Sequence, residues 1–144
     1  MKLSAEEKSL LIDACLEAKN NAYAKYSNFR VGAALLAEDG KLYTGCNVEN
    51  VSYGLTICAE RTAYVKAVSE GSLKFKGIAV CTDVKGKPVS PCGACRQFMS
   101  EFNDLEIIMT NNEKELKETT LSELLPMAFD DDALRNGQNN GIGK

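Results

Sequence analysis

The 144-residue chain contains no histidine, but it carries two short motifs, Cys58-Ala59-Glu60 and Pro91-Cys92-Gly93-Ala94-Cys95. Three cysteines at these spacings can hold zinc, and three protein ligands leave open the fourth position that marks a catalytic zinc site. An open position holds water, and a neighbouring carboxylate such as Glu60 can move the proton of that water. The residues therefore favour metal-assisted hydrolysis, and the lack of histidine excludes mechanisms that need an imidazole base.

The spacing of these residues suits two helix starts. Cys92 and Cys95 are three positions apart, so they share one face of a helix and both thiolates can reach one metal. A proline before the pair suits the entry to a helix, where a missing N–H costs nothing. Cys58 supplies the third thiolate from another helix start, and side chains there lean toward the helix N-terminus, which lets Glu60 approach the same point.

The charge of such a site needs compensation. Zn2+ with three thiolates has a net charge of about −1, which makes the metal a poor Lewis acid. Arg61 follows Glu60 directly and carries a permanent guanidinium that can donate to cysteine sulfur. We expect Arg61 to offset part of the thiolate charge.

The elements that must position these residues follow the order α, β, β, α, β, α, β. Ser4 and Glu7 form a capping box before the first helix, and Asp39-Gly40 predicts a hairpin turn. The predicted elements are a helix reaching Ala22, strands at 29–35 and 41–46, a helix at 58–71, a strand at 77–81, a helix at 92–102, a strand at 105–110 and a short helical turn at 121–125. Strands that alternate with helices after a hairpin predict a mixed sheet covered by helices.

Length and composition predict one domain over residues 1–144, with a frayed Gly- and Asn-rich tail at about 136–144. The net charge of −3 argues against a nucleic-acid partner, which would require a basic face. The sequence has neither a run of about 20 apolar residues nor a secretory signal, so we expect a cytoplasmic protein with no membrane partner. Cysteines stay reduced in the cytoplasm, which favours metal binding over disulfides.

Each of these residues also has a simpler interpretation. The Cys92–Cys95 pair is typical of a thioredoxin-type redox motif as well. A structural zinc site would need a fourth ligand, for which Cys15, Cys46 and Cys81 are available, although Cys15 and Cys81 lie in apolar runs typical of a core. Glu60 could be an ordinary first-turn glutamate, and the charged run at 113–118 is typical of a solvated face.

The chain resembles the small homotetrameric zinc-dependent cytidine deaminases of the three-cysteine type. The resemblance runs from about Leu10 to Phe129. It rests on five segments, at 23–29, 31–35, 45–50, 58–63 and 90–97. The zinc motif alone matches the general pattern of zinc deaminases. The segment Asn47-Val48-Glu49 is more specific, because in this family these positions hold the ribose.

The resemblance implies a three-layer α-β-α fold with a central mixed five-stranded sheet, one zinc per chain and a homotetramer with shared active sites. It implies hydrolytic deamination of cytidine and deoxycytidine to uridine and deoxyuridine plus ammonia, with zinc hydroxide attacking C4 and Glu60 as the proton shuttle. The implied zinc ligands are Cys58, Cys92 and Cys95. The implied substrate contacts are Phe29, Asn47, Glu49, the Ala59 backbone and, from a neighbouring subunit, Phe129.

Other functions remain open at this point. A deaminase for another small aminopyrimidine or a nucleoside antibiotic fits the same zinc motif, although the Asn-x-Glu segment favours a nucleoside. An enzyme that edits nucleic acid would need a basic channel for a single strand. A redox or zinc-binding module without hydrolysis belongs to a different class of function.

Overall fold

The structure, a computed structural model, describes residues 2–140, the last of them by its backbone alone. Its helices are α1 (Ala5–Lys19), α2 (Ala59–Ser69), α3 (Gly93–Met99), α4 (Leu121–Leu124) and α5 (Asp131–Asn140), with a short 3-10 helix at Tyr53–Leu55. Its strands are β1 (Val31–Ala37), β2 (Leu42–Cys46), β3 (Phe75–Thr82), β4 (Glu106–Asn111) and β5 (Lys117–Thr120). Within the described residues, no helix combines the length and the apolar character that crossing a membrane requires.

The five strands form one mixed sheet in the order β2-β1-β3-β4-β5. The β1–β2 hairpin, the β1–β3 pair and the β4–β5 pair are antiparallel, whereas β3 and β4 are parallel. Helix α3 lies in the connection between the parallel strands, as the crossover between parallel strands requires. The mixed sheet predicted from the sequence is confirmed.

Helices cover both faces of the sheet and create two apolar cores. Helix α1 packs Leu11 and Cys15 against one face, where they meet Ala34, Ala79 and Ile108 of the central strands. Helices α2 and α3 cover the other face with a larger cluster, which includes Ala63, Tyr64, Ala67, Cys95, Met99, Ala33, Leu35, Ile78, Val80 and Ile107. Because adjacent residues of a strand point to opposite faces, β1, β3 and β4 contribute to both cores. The three-layer α-β-α arrangement is therefore confirmed.

Local sequence signals explain where α1 begins. The Ser4 side chain accepts a hydrogen bond from the Glu7 backbone N–H, and the Glu7 side chain accepts one from the Ser4 N–H, so the predicted capping box is present. Helix α1 ends at Lys19, earlier than the apolar spacing to Ala22 suggests. The backbone N–H groups of Asn21 and Ala22 are still bonded to the last turn.

Glycines allow the helices to approach the sheet closely. A Cβ atom on Gly45 of β2 would lie 2.5 Å from the carbonyl oxygen of Ala59 and 2.6 Å from the Ala63 nitrogen, in α2. A Cβ on Gly32 of β1 would lie 2.1 Å from the Cys15 carbonyl oxygen of α1. These positions tolerate no side chain, so glycine sets the distance between each helix and the sheet.

Three elements differ from the sequence-based predictions. Helix α3 ends at Met99, because Phe102 already belongs to the turn that leads to β4. The resemblance implies a fifth strand, but the local pattern did not locate β5, since its residues Lys117–Thr120 are polar and lie at the edge of the sheet, where burial leaves no alternating pattern. Helix α5, which reaches Asn140, was not predicted. The frayed tail expected at 136–144 stays a prediction, and residues 141–144 lie outside the described range.

Candidate active site

Two helix starts bring the three cysteines together. Cys58 occupies the N-cap position of α2 and Cys92 that of α3, without a side-chain capping bond, and Cys95 lies in the first turn of α3. Their sulfur atoms all lie within 4.8 Å of one another, and the Cys58 and Cys92 sulfurs are 4.0 Å apart. In the described part of the chain, they are the one group of at least three His, Cys, Asp or Glu side chains close enough to share a metal ion.

The geometry and chemistry of the three thiols fit a zinc ion. Thiolates at the usual Zn–S distance around a tetrahedral ion lie ~3.8 Å apart, close to the observed spacing. Three thiolates this close would also repel one another, which opposes their joint ionisation without a cation. The Cys95 thiol, followed by the Arg61 guanidinium, donates to the Cys58 sulfur and lowers the pKa of Cys58 to about 5, whereas the neighbouring Cys58 thiolate raises the pKa of Cys95. A divalent cation resolves this conflict, since it stabilises all three thiolates.

Arg61 lies where the charge argument expects it. Its guanidinium Nη2 donates to the Cys58 sulfur at 3.4 Å, from the same turn of α2. The guanidinium is half-buried, so it acts on the sulfur with little competition from water. Arg61 can therefore offset part of the thiolate charge.

Glu60 is a buried carboxylate in the first turn of α2, with only 4% of its surface exposed. Burial is the main cause that raises the pKa of Glu60 to about 7, and the negative Cys58 sulfur adds to the effect. A carboxyl with a pKa near neutrality can both accept and release a proton, as general acid–base catalysis requires.

A cavity of about 290 Å³ opens above the cysteines. Four of its lining residues were predicted from the sequence as substrate contacts or as the catalytic acid–base, namely Phe29, Asn47, Glu49 and Glu60, and two are predicted zinc ligands, Cys58 and Cys92. The remaining lining residues are Ser27, Val31, Thr56, Val80, Val89 and Ser90. The volume is about the smallest that small-ligand sites have.

The segment at 23–31 forms one wall of this cavity and is held by Asn47 and Glu49. The Asn47 amide donates to the Phe29 carbonyl oxygen at 2.7 Å and accepts from the Val31 N–H at 3.0 Å. The Glu49 carboxylate accepts from backbone and side-chain donors of Tyr26 and Ser27. Two predicted ribose contacts thus also determine the conformation of the wall that carries Phe29.

Two predicted substrate contacts are not among the cavity-lining side chains. Ala59 is fully buried in the first turn of α2, so only its backbone could contribute to a site. Phe129 lies beyond α4 with 62% of its surface exposed, and its carbonyl oxygen accepts a hydrogen bond from the Gln97 side chain of α3. Within a single chain, the Phe129 ring is therefore an exposed apolar group near the end of the described fold.

The other cysteines do not complete a four-ligand structural site. Cys15 and Cys81 are buried in the core under α1, on the face of the sheet opposite Cys95. Cys46 ends β2 and is half-buried, and it is not among the cavity-lining residues. Sequence analysis missed Ser27, Thr56 and Ser90 as lining residues. The one available signal was their position in or beside the matched segments.

A three-layer domain with a three-cysteine metal site and a buried glutamate beside it defines the class of zinc-dependent deaminases. Residues 5–111 match the family model described as the cytidine and deoxycytidylate deaminase zinc-binding region. A probable cytidine deaminase of Dictyostelium discoideum is 50% identical over 132 residues, which cover 92% of this chain and 90% of the relative. The cytidine deaminase of Sporosarcina psychrophila is 54% identical over 121 residues, covering 83% of this chain and 88% of the relative.

A solved structure gives the same result. The crystal structure of the cytidine deaminase from Burkholderia pseudomallei superposes with a TM-score of 0.81 at 47% identity, and the match covers 88% of this chain and all of that one. The chain belongs to the cytidine and deoxycytidylate deaminase family. The resemblance identified from the sequence is therefore confirmed.

Proposed function

We propose that the protein catalyses the hydrolytic deamination of cytidine and deoxycytidine, which yields uridine or deoxyuridine and ammonia. The observation that carries the proposal is a cluster of three thiols, two of which line one cavity together with the buried Glu60. Relatives named cytidine deaminase match most of the chain, which supports the substrate class.

The proposed metal ligands are Cys58, Cys92 and Cys95, which would hold one zinc ion per chain. Bound zinc would supply Lewis-acid activation of the attacking water. Arg61 would donate to the Cys58 sulfur and withdraw negative charge from the site, as its 3.4 Å contact supports.

Glu60 is the proposed acid–base catalyst. It would take one proton of the water that adds to C4 of the pyrimidine and transfer it to ring N3. It would then take the second proton from the new C4 hydroxyl and give it to the amine, so that the C4=O bond forms, the C4–N bond breaks and ammonia departs. Burial supports this role, since it places the pKa of Glu60 at about 7, where the carboxyl exchanges protons readily.

The proposed substrate contacts are Phe29, Asn47, Glu49 and the Ala59 backbone. The Asn47 amide uses one N–H and one lone pair on the neighbouring backbone, which leaves one donor and one lone pair for a sugar hydroxyl. Glu49 would accept a sugar hydroxyl proton, and the Phe29 ring would pack near the base. The Ala59 backbone would bind a polar atom of the pyrimidine.

A homotetramer with shared active sites is the proposed assembly. Between the cavity-lining residues Glu49 and Thr56, the apolar side chains of Val51, Tyr53 and Leu55 are strongly exposed in the single chain. Contiguous exposed apolar groups mark interaction surfaces, and closed symmetric assemblies are the usual result for one chain type. Phe129, also exposed, would reach the active site of a neighbouring subunit.

We further propose that the chain acts as one catalytic domain in the cytoplasm. Three metal-binding thiols require a compartment in which cysteines stay reduced, and the cytoplasm provides it. The proposed metal ligands lie at the starts of α2, which precedes β3 in the chain, and of α3, which follows it. The site therefore depends on the central sheet as a whole rather than on a separable part.

A combined assay tests the proposed function. Protein purified under reducing conditions should contain about one zinc per chain and convert cytidine, and then deoxycytidine, with the ultraviolet change of deamination and release of ammonia. Cys92→Ala should lose zinc and activity together. Zinc-loaded protein that releases no ammonia from either nucleoside would exclude the proposal in favour of a zinc-binding module.

A further inference from the structure

The Glu49 carboxylate is held by one short turn of the chain. Its Oε1 atom accepts from the backbone N–H groups of Tyr26 at 2.9 Å and Ser27 at 3.1 Å. Its Oε2 atom accepts from the Ser27 hydroxyl. The Ser27 hydroxyl and these two N–H groups lower the pKa of Glu49, so the carboxylate is ionised at neutral pH.

A second hydrogen bond, accepted by the Ser27 oxygen, helps to orient the Ser27 hydroxyl proton toward Glu49. The Phe29 backbone N–H donates to the Ser27 oxygen at 3.0 Å, so that oxygen already serves as an acceptor there. A hydroxyl has a single proton to donate, and here that proton points to Glu49. Asn28, between them, has a left-handed backbone with φ of 58°, a conformation that asparagine tolerates better than most residues.

The two oxygens of Glu49 are thus held by different kinds of donor. Backbone groups fix Oε1 whatever the side chain at position 27, whereas the bond to Oε2 depends on the Ser27 hydroxyl alone. Ser27 and Glu49 both line the cavity, so Oε2 keeps a lone pair for a ligand in a direction that Ser27 determines. Loss of the hydroxyl would let the carboxylate rotate about Oε1.

We propose that Ser27 is a positioning residue for sugar recognition, which acts by fixing the orientation of the Glu49 carboxylate. This inference rests on the proposed function, since it assigns Glu49 to a sugar hydroxyl of the nucleoside. Ser27 is exposed at the cavity mouth, so water would replace part of its effect in a variant. We therefore expect Ser27→Ala to raise KM for cytidine roughly tenfold, about the value of one hydrogen bond to a charged group, with kcat changed less than threefold.

The experiment compares variants that differ in this one hydroxyl. Ser27→Thr keeps the donor and should restore KM, whereas Ser27→Cys keeps the size but donates weakly and should resemble Ser27→Ala. Ser9→Ala, an exposed serine of α1, is the matched control and should not change KM. Zinc content and circular dichroism show whether each variant folds. If Ser27→Ala does not fold, the comparison of Ser27→Cys with Ser27→Thr still tests the inference.

Two further measurements test whether Ser27 affects substrate binding by way of Glu49. In a double-mutant cycle, Ser27→Ala should add nothing to the loss caused by Glu49→Gln. Used as competitive ligands, cytidine should bind more weakly to Ser27→Ala, whereas 2′,3′-dideoxycytidine, which lacks the 2′- and 3′-hydroxyls, should bind equally to both proteins if Glu49 binds one of these two hydroxyls.

The outcomes separate this inference from the proposed function. Active wild-type protein whose Ser27→Ala variant has an unchanged KM, or whose losses simply add to those of Glu49→Gln, would overturn the positioning role alone. Zinc-loaded wild-type protein that deaminates neither nucleoside would overturn the proposed function, and this inference with it.

Discussion

Glu60 combines two properties that a surface glutamate does not have together. Its carboxyl is almost fully buried, and it lies two positions from Cys58, a thiol whose pKa Cys95 and Arg61 lower to about 5. An ordinary first-turn glutamate would be exposed and would serve the helix dipole. The burial of Glu60 favours the catalytic interpretation over the simpler one, because burying a carboxylate costs free energy that helix stability alone does not require.

Glu60→Gln tests this interpretation. Glutamine keeps the shape of the side chain but carries no exchangeable carboxyl proton, so kcat should fall by roughly 10²–10⁴-fold. Zinc content and cytidine binding should stay near the wild-type level, as measured by metal analysis and by inhibition assays. Glu70→Gln, an exposed position at the other end of α2, is the control and should keep full activity. Near-normal turnover of zinc-loaded Glu60→Gln would remove Glu60 from the mechanism.

Asp83 gives a prediction about stability and pH. Its carboxylate pairs with Arg30 at 2.8 Å and with Lys19 at 2.7 Å, and only 2% of the Lys19 side chain is exposed. The hydrogen bond from Arg30, which has the largest effect, and the contact with Lys19 lower the pKa of Asp83. The ionised carboxylate therefore stabilises the fold above its unfolded pKa of about 4, and this stabilisation is lost as the pH falls below that value.

Asp83→Asn should accordingly destabilise the protein at pH 7. Removal of the anion leaves Lys19 buried without its charge partner, which costs roughly 3 kcal/mol, the low end for a buried pair, because Asp83 is partly exposed. Denaturant unfolding at pH 7 and again below pH 4 should show the difference from wild type shrink at acid pH. Asp13→Asn, which breaks an exposed pair with Lys114, should change stability little at either pH. A difference that is constant with pH would contradict the assignment to Asp83 ionisation.

Sequence analysis predicted which residues lie together at the candidate site better than it predicted long-range side-chain pairs. The cysteines, Glu60 and Arg61 follow from spacing along the chain, because they lie at helix starts. The burial of Lys19 could not be predicted, since its partners Asp83 and Asn112 come from distant parts of the chain. Long-range pairing of this kind leaves no periodic pattern in the sequence.

At the scale of elements, the position of α2 on the sheet decides the geometry of the site. Helix α2 carries Cys58, Glu60 and Arg61, and Gly45 of β2 allows its first turn to lie against the strand. Gly45→Ala should push this turn outward, destabilise the fold by about 1–3 kcal/mol and lower both zinc content and activity. Metal analysis and thermal unfolding measure the two effects.

Gly137→Ala, in the exposed helix α5, is the control for this change. A Cβ at Gly137 would meet no atom within 4 Å, so zinc content and activity should remain unchanged and the unfolding temperature should not fall. A Gly45→Ala variant with wild-type zinc content and activity would show that α2 can shift without disturbing the site.

The elements that could be predicted are those with strong local signals. The capping box at Ser4, the turn at Asp39-Gly40 and the apolar runs of β3 and β4 each determine a short segment by itself. Strand β5 was missed because pairing with β4, rather than its own composition, makes Lys117–Thr120 extended. The order of strands was likewise not predicted, as it depends on which edges meet in three dimensions.

At the scale of the whole molecule, the single chain leaves large apolar side chains exposed in the segment 51–55, between the cavity-lining residues Glu49 and Thr56. Leu55, in the 3-10 helix that follows the Asn47–Glu49 segment, has 64% of its surface exposed. Its side chain packs little within its own chain, so a change there should leave the fold of one subunit intact. Subunit association would bury it, which makes Leu55 a sensitive probe of the proposed assembly.

Leu55→Lys should dissociate the assembly without unfolding the subunit. A buried lysine without a partner is costly at an interface, so light scattering should report a smaller species than the four chains expected of the wild type. Activity should fall with dissociation and recover in part at high protein concentration, because the proposed active site includes Phe129 of a neighbour. Leu73→Lys, which alters a similarly exposed leucine before β3 at the opposite end of that strand from the cavity, should keep both size and activity. A wild-type monomer with full activity would refute the tetramer and the shared site together, since neither could then be needed for catalysis.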